Sequence, residues 1–288
     1  MPMPADVGVV DAMIGFPSAD PQRHYDPLTS QLRDAASEAM RFPTEYMFKE
    51  APGPLDAQLD PVAATVAEMD RYGITLGLVG LGTRSAARAL AEHPDRFRAT
   101  VEIDPNDIAE AVAAIRGAHE EHAVVAVTTF PAGCNPQVPI SDRRYYPVYQ
   151  VCVDLGLPIV VNAGIAGPRV PSACQDVMHF DLVCYDFPDL VVVMRHGAEP
   201  WEELAVKLML KWPGLHYMTS AFAPRYYPRA VIDYANTRGT HKVLYAGYFP
   251  WGLSLERIFA ELPTVPLRDH VWRPFLRDNA VRVFKLGG

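Results

Sequence analysis

The sequence is poor in the features that mark several large functional classes. No stretch reaches the roughly 18 consecutive apolar residues of a membrane-spanning helix, and no run of five or more basic residues occurs. With a formal net charge of -8, that argues against a nucleic-acid surface, which needs clustered positive charge. Cysteine is scarce: Cys134, Cys152, Cys174 and Cys184, none in a CxxC spacing. This excludes a zinc ribbon or a thioredoxin-type redox pair and leaves buried, reduced thiols as the expectation. None of the nine histidines falls in an HxH or HxxxH spacing, and there is no Gly-x-Ser-x-Gly elbow. The opening Met-Pro-Met-Pro-Ala-Asp has no basic segment followed by an apolar run, so no signal peptide is expected. These absences leave a soluble, cytoplasmic protein whose partner is a small molecule.

What is present is alternation. Short apolar runs at 7–14, 74–80, 97–103, 123–129, 157–162, 190–194, 215–219 and 242–246 predict eight strands. Several are rich in Val and Ile without a polar face, as in parallel strands covered on both sides. Amphipathic segments lie between them. Asp60-Pro61 supplies an N-cap and a first-turn proline for a helix over 62–72, which Gly73 ends. Further helices are predicted over 141–155, 201–211, 224–235 and 253–262. Strand–helix alternation implies a parallel sheet, and eight units in 288 residues fit a (β/α)8 TIM-type barrel, which typically needs about 250 residues. The chain therefore reads as one barrel domain over 1–288. Segment 15–59 breaks the rhythm as a long insertion after the first strand, on the face where barrel active sites sit. It reads equally as a lid or a dimerisation arm, with a short helix over 32–40.

Several phrases then stand out. They are Glu92-His93-Pro94-Asp95-Arg96-Phe97 with Val101-Glu102-Ile103-Asp104-Pro105-Asn106; Leu155-Gly156-Leu157-Pro158-Ile159-Val160-Val161; His196-Gly197-Ala198-Glu199-Pro200-Trp201; and Tyr245-Ala246-Gly247. In this order and spacing they resemble the amidohydrolase-2 branch of the amidohydrolase superfamily, which includes resorcylate-type decarboxylases and lactone hydrolases. The resemblance implies a divalent metal at the barrel mouth, held by a His-x-His on the first strand, a His ending the fifth and an Asp ending the eighth. A His ending the sixth is often kept, and related barrels often form homodimers. Here the corresponding positions hold Met13, Gly15, Asn162 and Tyr248, and only His196 matches. A lone imidazole and a thioether are a poor ligand set for a hard divalent ion, so no catalytic metal and no other cofactor are expected.

If the family register holds, His196, Asn162, Tyr248 and Met13 meet at the pocket floor. Strand alternation pairs His196 with Met194, Asn162 with Val160, Tyr248 with Ala246 and Met13 with Asp11 on common faces. His196 is the candidate acid/base, titrating near neutrality. Tyr248 and Asn162 are candidates to stabilise an oxyanion. Met13, Thr128 (or Thr129) and Thr219 (or Ser220) would line the substrate, and Arg225 would clamp a carboxylate. Arg195, next to His196 on the strand, is expected to point away from the interior, and Asp11 to bond backbone or an arginine within the barrel. Gly80-Leu81-Gly82-Thr83 offers a weak anion-binding turn. The reading is an amidohydrolase-like enzyme, hydrolase or lyase, performing metal-independent acid–base chemistry on a small organic acid or carbonyl compound, decarboxylation included. One alternative is a non-catalytic barrel that binds a metabolite or stabilises a partner. Another is a metal enzyme using Asp11, Glu102, Asp104 or Glu199.

Overall fold

The computed structural model describes residues 3–4, 6–20, 26–40, 42–48, 56 and 58–287. Eight parallel strands follow one another in sequence order around the sheet: β1 (Val9–Asp11), β2 (Ile74–Gly80), β3 (Phe97–Glu102), β4 (Ala126–Thr129), β5 (Ile159–Asn162), β6 (Val192–Arg195), β7 (Leu215–Met218) and β8 (Val243–Leu244). Between β8 and β1 the ladder is sparse. Ala12 N donates to Tyr245 O at 3.4 Å, and beyond the strands Gly15 N donates to Phe249 O at 2.8 Å. All eight predicted strands are present, so the expected (β/α)8 barrel is the fold. β4, β5, β6 and β7 are buried along their whole length, as covered parallel strands should be.

The helices are α1 (Asp26–Thr29), α2 (Ala35–Glu38), α3 (Pro61–Arg71), α4 (Arg84–Glu92), α5 (Ile108–His122), α6 (Tyr146–Leu155), α7 (His179–Asp186), α8 (Glu202–Lys211), α9 (Arg229–Ala235), α10 (Leu255–Glu261), α11 (Asp269–Arg273) and α12 (Asn279–Val283). Local chemistry sets their ends. The Asp60 carboxylate accepts from Val62 N and Ala63 N at the start of α3. Gly156, at φ +63°, closes α6 in the left-handed conformation that glycine adopts without strain. Thr83 caps α4 through Ala86 N, so the Gly80–Thr83 turn spends its polar group on its own helix.

Two apolar layers result. Val10, Leu78, Ala126, Val160, Val193, Met218 and Leu244 fill the barrel interior together with Ala280, Val283 and Phe284 from the C-terminal helical segment. Asn279 ties that segment to the start of β8 through Val243 O at 2.8 Å. The larger layer lies between strands and helices and contains Val161, Val192, Met194 and Tyr217. This assignment revises one expected face: Met194 looks outward toward the helices, while Val193 looks inward.

The segment after β1 carries α1, α2 and a 3-10 turn at Glu45–Met47. The helix expected over 32–40 shortens to α2, capped by Asp34 through Ser37 N. The segment lies against the loops that follow β4 and β5. Gln31 Nε2 donates to Gly133 O at 2.7 Å, Tyr46 Oη donates to Gly167 O at 2.7 Å, and Arg169 pairs with Asp34 at 2.7 Å. Much of the rest of 15–59, including 21–25 and 49–55, lies outside the described residues.

Candidate active site

The C-terminal ends of β5 to β8 bring polar groups together above the apolar filling of the barrel. Asn162 and Arg195 are register partners on β5 and β6. Side-by-side residues of a parallel ladder share a face, so Arg195 points inward with Asn162, and its Nε donates to Asn162 Oδ1. The expectation that Arg195 points away from the interior is therefore corrected. The cause is the uniformly apolar run before it, in which no polar residue marks the inner face. Arg195 Nη2 lies 3.7 Å from Glu102 Oε2, and Thr128 Oγ1 donates to the same oxygen at 3.5 Å. Glu102, Thr128, Asn162 and Arg195 thus form one polar chain across β3 to β6.

His196 follows at φ +69°, outside the strand conformation, which breaks the alternation on which its shared face with Met194 rested. Its Nδ1 lies 2.9 Å from Ser220 Oγ, and its ring meets Tyr248 edge-to-face at 5.3 Å between centroids. Desolvation, then the Arg195 charge, hold the imidazole well below its usual pKa. The residue as a whole is half-buried, and the direction of the shift runs against the near-neutral titration expected of it. Tyr248 sits at φ +123° and Ala198 and Ala221 also have positive φ. Left-handed backbone at non-glycine residues is strained and gathers at functional sites. Here it gathers in the loops after β6, β7 and β8.

The opposite side of the mouth is packed with aromatic rings. A Cβ on Gly15 would lie 2.6 Å from the Trp251 ring, so the indole occupies the space a side chain at position 15 would need. Trp251 packs on Tyr248 at 5.5 Å, and Phe48 stacks on Tyr248 at 6.0 Å. A Cβ on Gly252 would meet the Phe48 ring at 2.5 Å. Below them, Asp11 is fully buried. Its Oδ1 accepts from Gly247 N at 2.8 Å and Met13 N at 3.0 Å, the backbone bonding expected of it. Its Oδ2 faces Tyr245 Oη without a well-formed hydrogen bond. Burial raises the Asp11 carboxyl to about 7.

The other predicted site residues divide. Met13 packs at the edge of the inner apolar layer, and Thr128 joins the Glu102–Arg195 chain. Thr219 does not enter the mouth: it is buried and ties β7 to the end of β8, with its Oγ1 accepting from Ala246 N at 3.3 Å. Its neighbour Ser220 reaches His196 instead. Arg225 lies outside as well. It is exposed, pairs with Glu261 at 2.9 Å and stacks over Tyr226. Sequence reasoning missed Arg195 and Trp251. The usable signal for Arg195 was positional, because a residue level with an inward Asn162 must itself face inward. Nothing local in the sequence pairs Gly15 with Trp251.

Among the described residues no three His, Cys, Asp or Glu side chains converge as a metal cage, so Asp11, Glu102, Asp104 and Glu199 are not gathered into one. All four cysteines are buried and unpaired, and burial pushes the Cys174 thiol up to about 11. No helix among the described residues is long and apolar enough to cross a membrane. One hollow of about 420 Å³ opens beside Glu102, lined also by Asp104, Asn106 and Asp107. Another, about 410 Å³, lies between α8 and α9, away from this chemistry.

Similar architectures are known. An uncharacterized TIM-barrel protein from Bordetella bronchiseptica superposes with a TM-score of 0.77 at 22% identity, covering 96% of this chain and 98% of its own. The 2,6-dihydroxybenzoate decarboxylase from Rhizobium gives 0.67 at 15% identity, covering 98% and 99%. The 5-carboxyvanillate decarboxylase from Novosphingobium aromaticivorans, solved with manganese and a nitrobenzoic acid derivative, gives 0.64 at 13% identity, covering 98% and 99%. At these identities the likeness establishes the fold. No curated protein sequence matches the chain. The sequence model of the amidohydrolase family does match, over residues 18–286, nearly all of the barrel just described, and the chain therefore belongs to the amidohydrolase family.

Proposed function

We propose that this barrel is an enzyme acting on a small organic acid or carbonyl compound by acid–base chemistry that needs no metal. The reaction is hydrolysis or C–C or C–O lysis, decarboxylation included. The observation that carries this reading is His196 held between Ser220 and Tyr248 at a mouth that also contains the buried Arg195 guanidinium. A neutral imidazole can accept a proton from a substrate or from water. In this reading Tyr248 and Asn162 steady negative charge that develops on a substrate oxygen, and Met13 and Thr128 contact the substrate. The solved decarboxylases named above act on hydroxybenzoate-type acids, which supports the substrate class.

The family's metal does not suit these residues. Asn162 Oδ1 already accepts from a cation, His196 Nδ1 faces Ser220, and the ring of Trp251 fills the space above Gly15. A divalent ion would sit next to the Arg195 guanidinium with one imidazole as its good donor, against both charge and donor chemistry. We therefore expect protein purified without chelator to contain far less than one equivalent of zinc or manganese by inductively coupled plasma mass spectrometry. Near-stoichiometric metal would overturn the metal-independent mechanism.

The contacts of Phe48 with Tyr248 and Gly252 support a lid role for segment 15–59. The exposed Leu182 and Tyr185 of α7, with Met178 at its N-cap, support a homodimer, which light scattering would check. Buried, unpaired cysteines fit a cytoplasmic location. The same Phe48 and Trp251 packing favours a second reading, a non-catalytic metabolite-binding barrel, which turnover of any organic acid would eliminate.

A further inference from the structure

We propose that Arg195 is the anion-binding residue of the mouth. Its guanidinium is the fixed counter-charge for a substrate carboxylate, and Glu102 is the displaceable carboxylate that screens it when no substrate is bound. This deepens the organic-acid reading above and rests on it.

The charges around Arg195 are unevenly buried. Its side chain is 8% exposed, yet its one carboxylate partner among the described residues, Glu102, is 63% exposed and 3.7 Å away. A well-formed guanidinium–carboxylate contact is about 2.7–2.9 Å and often bidentate. This protein makes such contacts where they matter least. Exposed Arg88 reaches both Asp60 oxygens at 2.6 Å and 2.5 Å, and Arg144 takes both Asp142 oxygens at 3.0 Å. The deeply buried guanidinium is thus held more loosely than these surface ones. Its Nε is spent on a neutral amide, and its Nη1 makes no hydrogen bond to any described residue. Burying a cation without tight compensation is costly, and a purely structural arginine would be paired closely.

The surroundings say which anion fits. Arg195 directly precedes His196 in the chain, and the His196 ring meets Tyr248 edge-to-face at 5.3 Å, so an anion held by Arg195 sits on the side of the mouth where both rings stand. Tyr248, Trp251 and Phe48 provide flat aromatic walls, which suits a planar acid whose carboxylate meets the planar guanidinium fork. Thr128 donates to the Glu102 carboxylate and would keep that side chain close by when a substrate carboxylate displaces it. The sequence candidate for a carboxylate clamp, Arg225, is occupied by Glu261 at the surface. Arg195 takes over that role from inside the barrel.

The test is calorimetric titration of the full chain with benzoate and its uncharged isostere benzamide. A charge-assisted contact of this kind is worth roughly tenfold in affinity. The wild type should bind benzoate about tenfold more tightly than benzamide. Arg195→Met should lose that preference and Arg195→Lys should keep part of it. Glu102→Gln should tighten benzoate severalfold and leave benzamide unchanged, an effect a merely structural ion pair would not produce. Equal binding of the two ligands by the wild type would overturn the proposal. So would no benzoate binding, an undiminished preference in folded Arg195→Met, or weaker benzoate binding by Glu102→Gln. If Arg195→Met fails to fold, the Glu102→Gln and Arg195→Lys arms still decide. An Arg195-dependent preference in a protein that turns nothing over would retire the enzyme reading and leave the clamp. Turnover with an unchanged KM in Arg195→Met would do the reverse.

Discussion

The two sides of the barrel mouth are built differently. On the β3–β6 side, Asn162 is joined to Arg195, Glu102 and Thr128, so a polar amide and a fixed organic cation occupy the space. On the β8–β1 side, Gly15 and Tyr248 are packed by Trp251 and Phe48. One side is a charged, hydrogen-bonded chain and the other is aromatic packing. The contrast teaches that neighbouring strand ends of one barrel can be filled by charge or by volume, and that the fixed cation lies on the first. His196 lies at the seam, bonded toward Ser220 and in ring contact with Tyr248.

The strongest way to break this comparison is His196→Ala. If the polar half does the chemistry, turnover of the organic acid falls by roughly 10²–10⁴-fold, while the melting temperature changes little. Retained turnover would move the chemistry elsewhere.

Asp11 probes the packed half by pH. Its folded pKa of about 7 lies above its ordinary 3.8. The folded state therefore holds the proton that the unfolded chain has released, and this contribution is complete below about pH 4 and lost as pH rises through about 7. Its size is on the order of 4 kcal/mol. Asp11→Asn removes the loss, since an amide keeps the Oδ1 acceptor for Gly247 N and Met13 N. Denaturant unfolding from pH 4 to pH 8 should show the variant gaining on wild type as pH rises. His216, pushed down to about 3 by burial, contributes in the opposite direction, with stability present above its ordinary value and lost toward acid. That contribution is common to both proteins and cancels in the difference.

Gly15→Ala sharpens the claim that volume replaced a ligand. The new Cβ would press on the Trp251 ring, and overpacking of this kind costs about 1–3 kcal/mol. Combining it with Trp251→Ala should recover part of the loss, a coupling that a double-mutant cycle by chemical denaturation measures. Strict additivity would show that the two residues do not compete for one space. The smallest effect belongs to Arg225→Ala. As an exposed ion pair with Glu261 it should shift stability by no more than about 1 kcal/mol and leave benzoate affinity unchanged by calorimetry.

The sequence by itself determined the barrel. Eight apolar runs, Asp60-Pro61 before α3 and Gly156 after α6 are local signals, written in neighbouring residues and readable without any long-range contact. Met13, Gly15, Asn162, His196 and Tyr248 stand out as candidate positions only through the phrases that flank them. Tertiary structure decided which way the groups face and what they touch. The apolar run leading to Arg195 has no alternation, so the direction of Arg195 follows from its register with Asn162 on another strand. The positive φ of His196 turns it toward Ser220, and burial, then the Arg195 charge, hold its imidazole well below the usual pKa. Trp251 fills the space above Gly15 from 236 residues away in sequence. Such facts depend on barrel closure and on the desolvation that closure brings, which no local pattern of residues encodes.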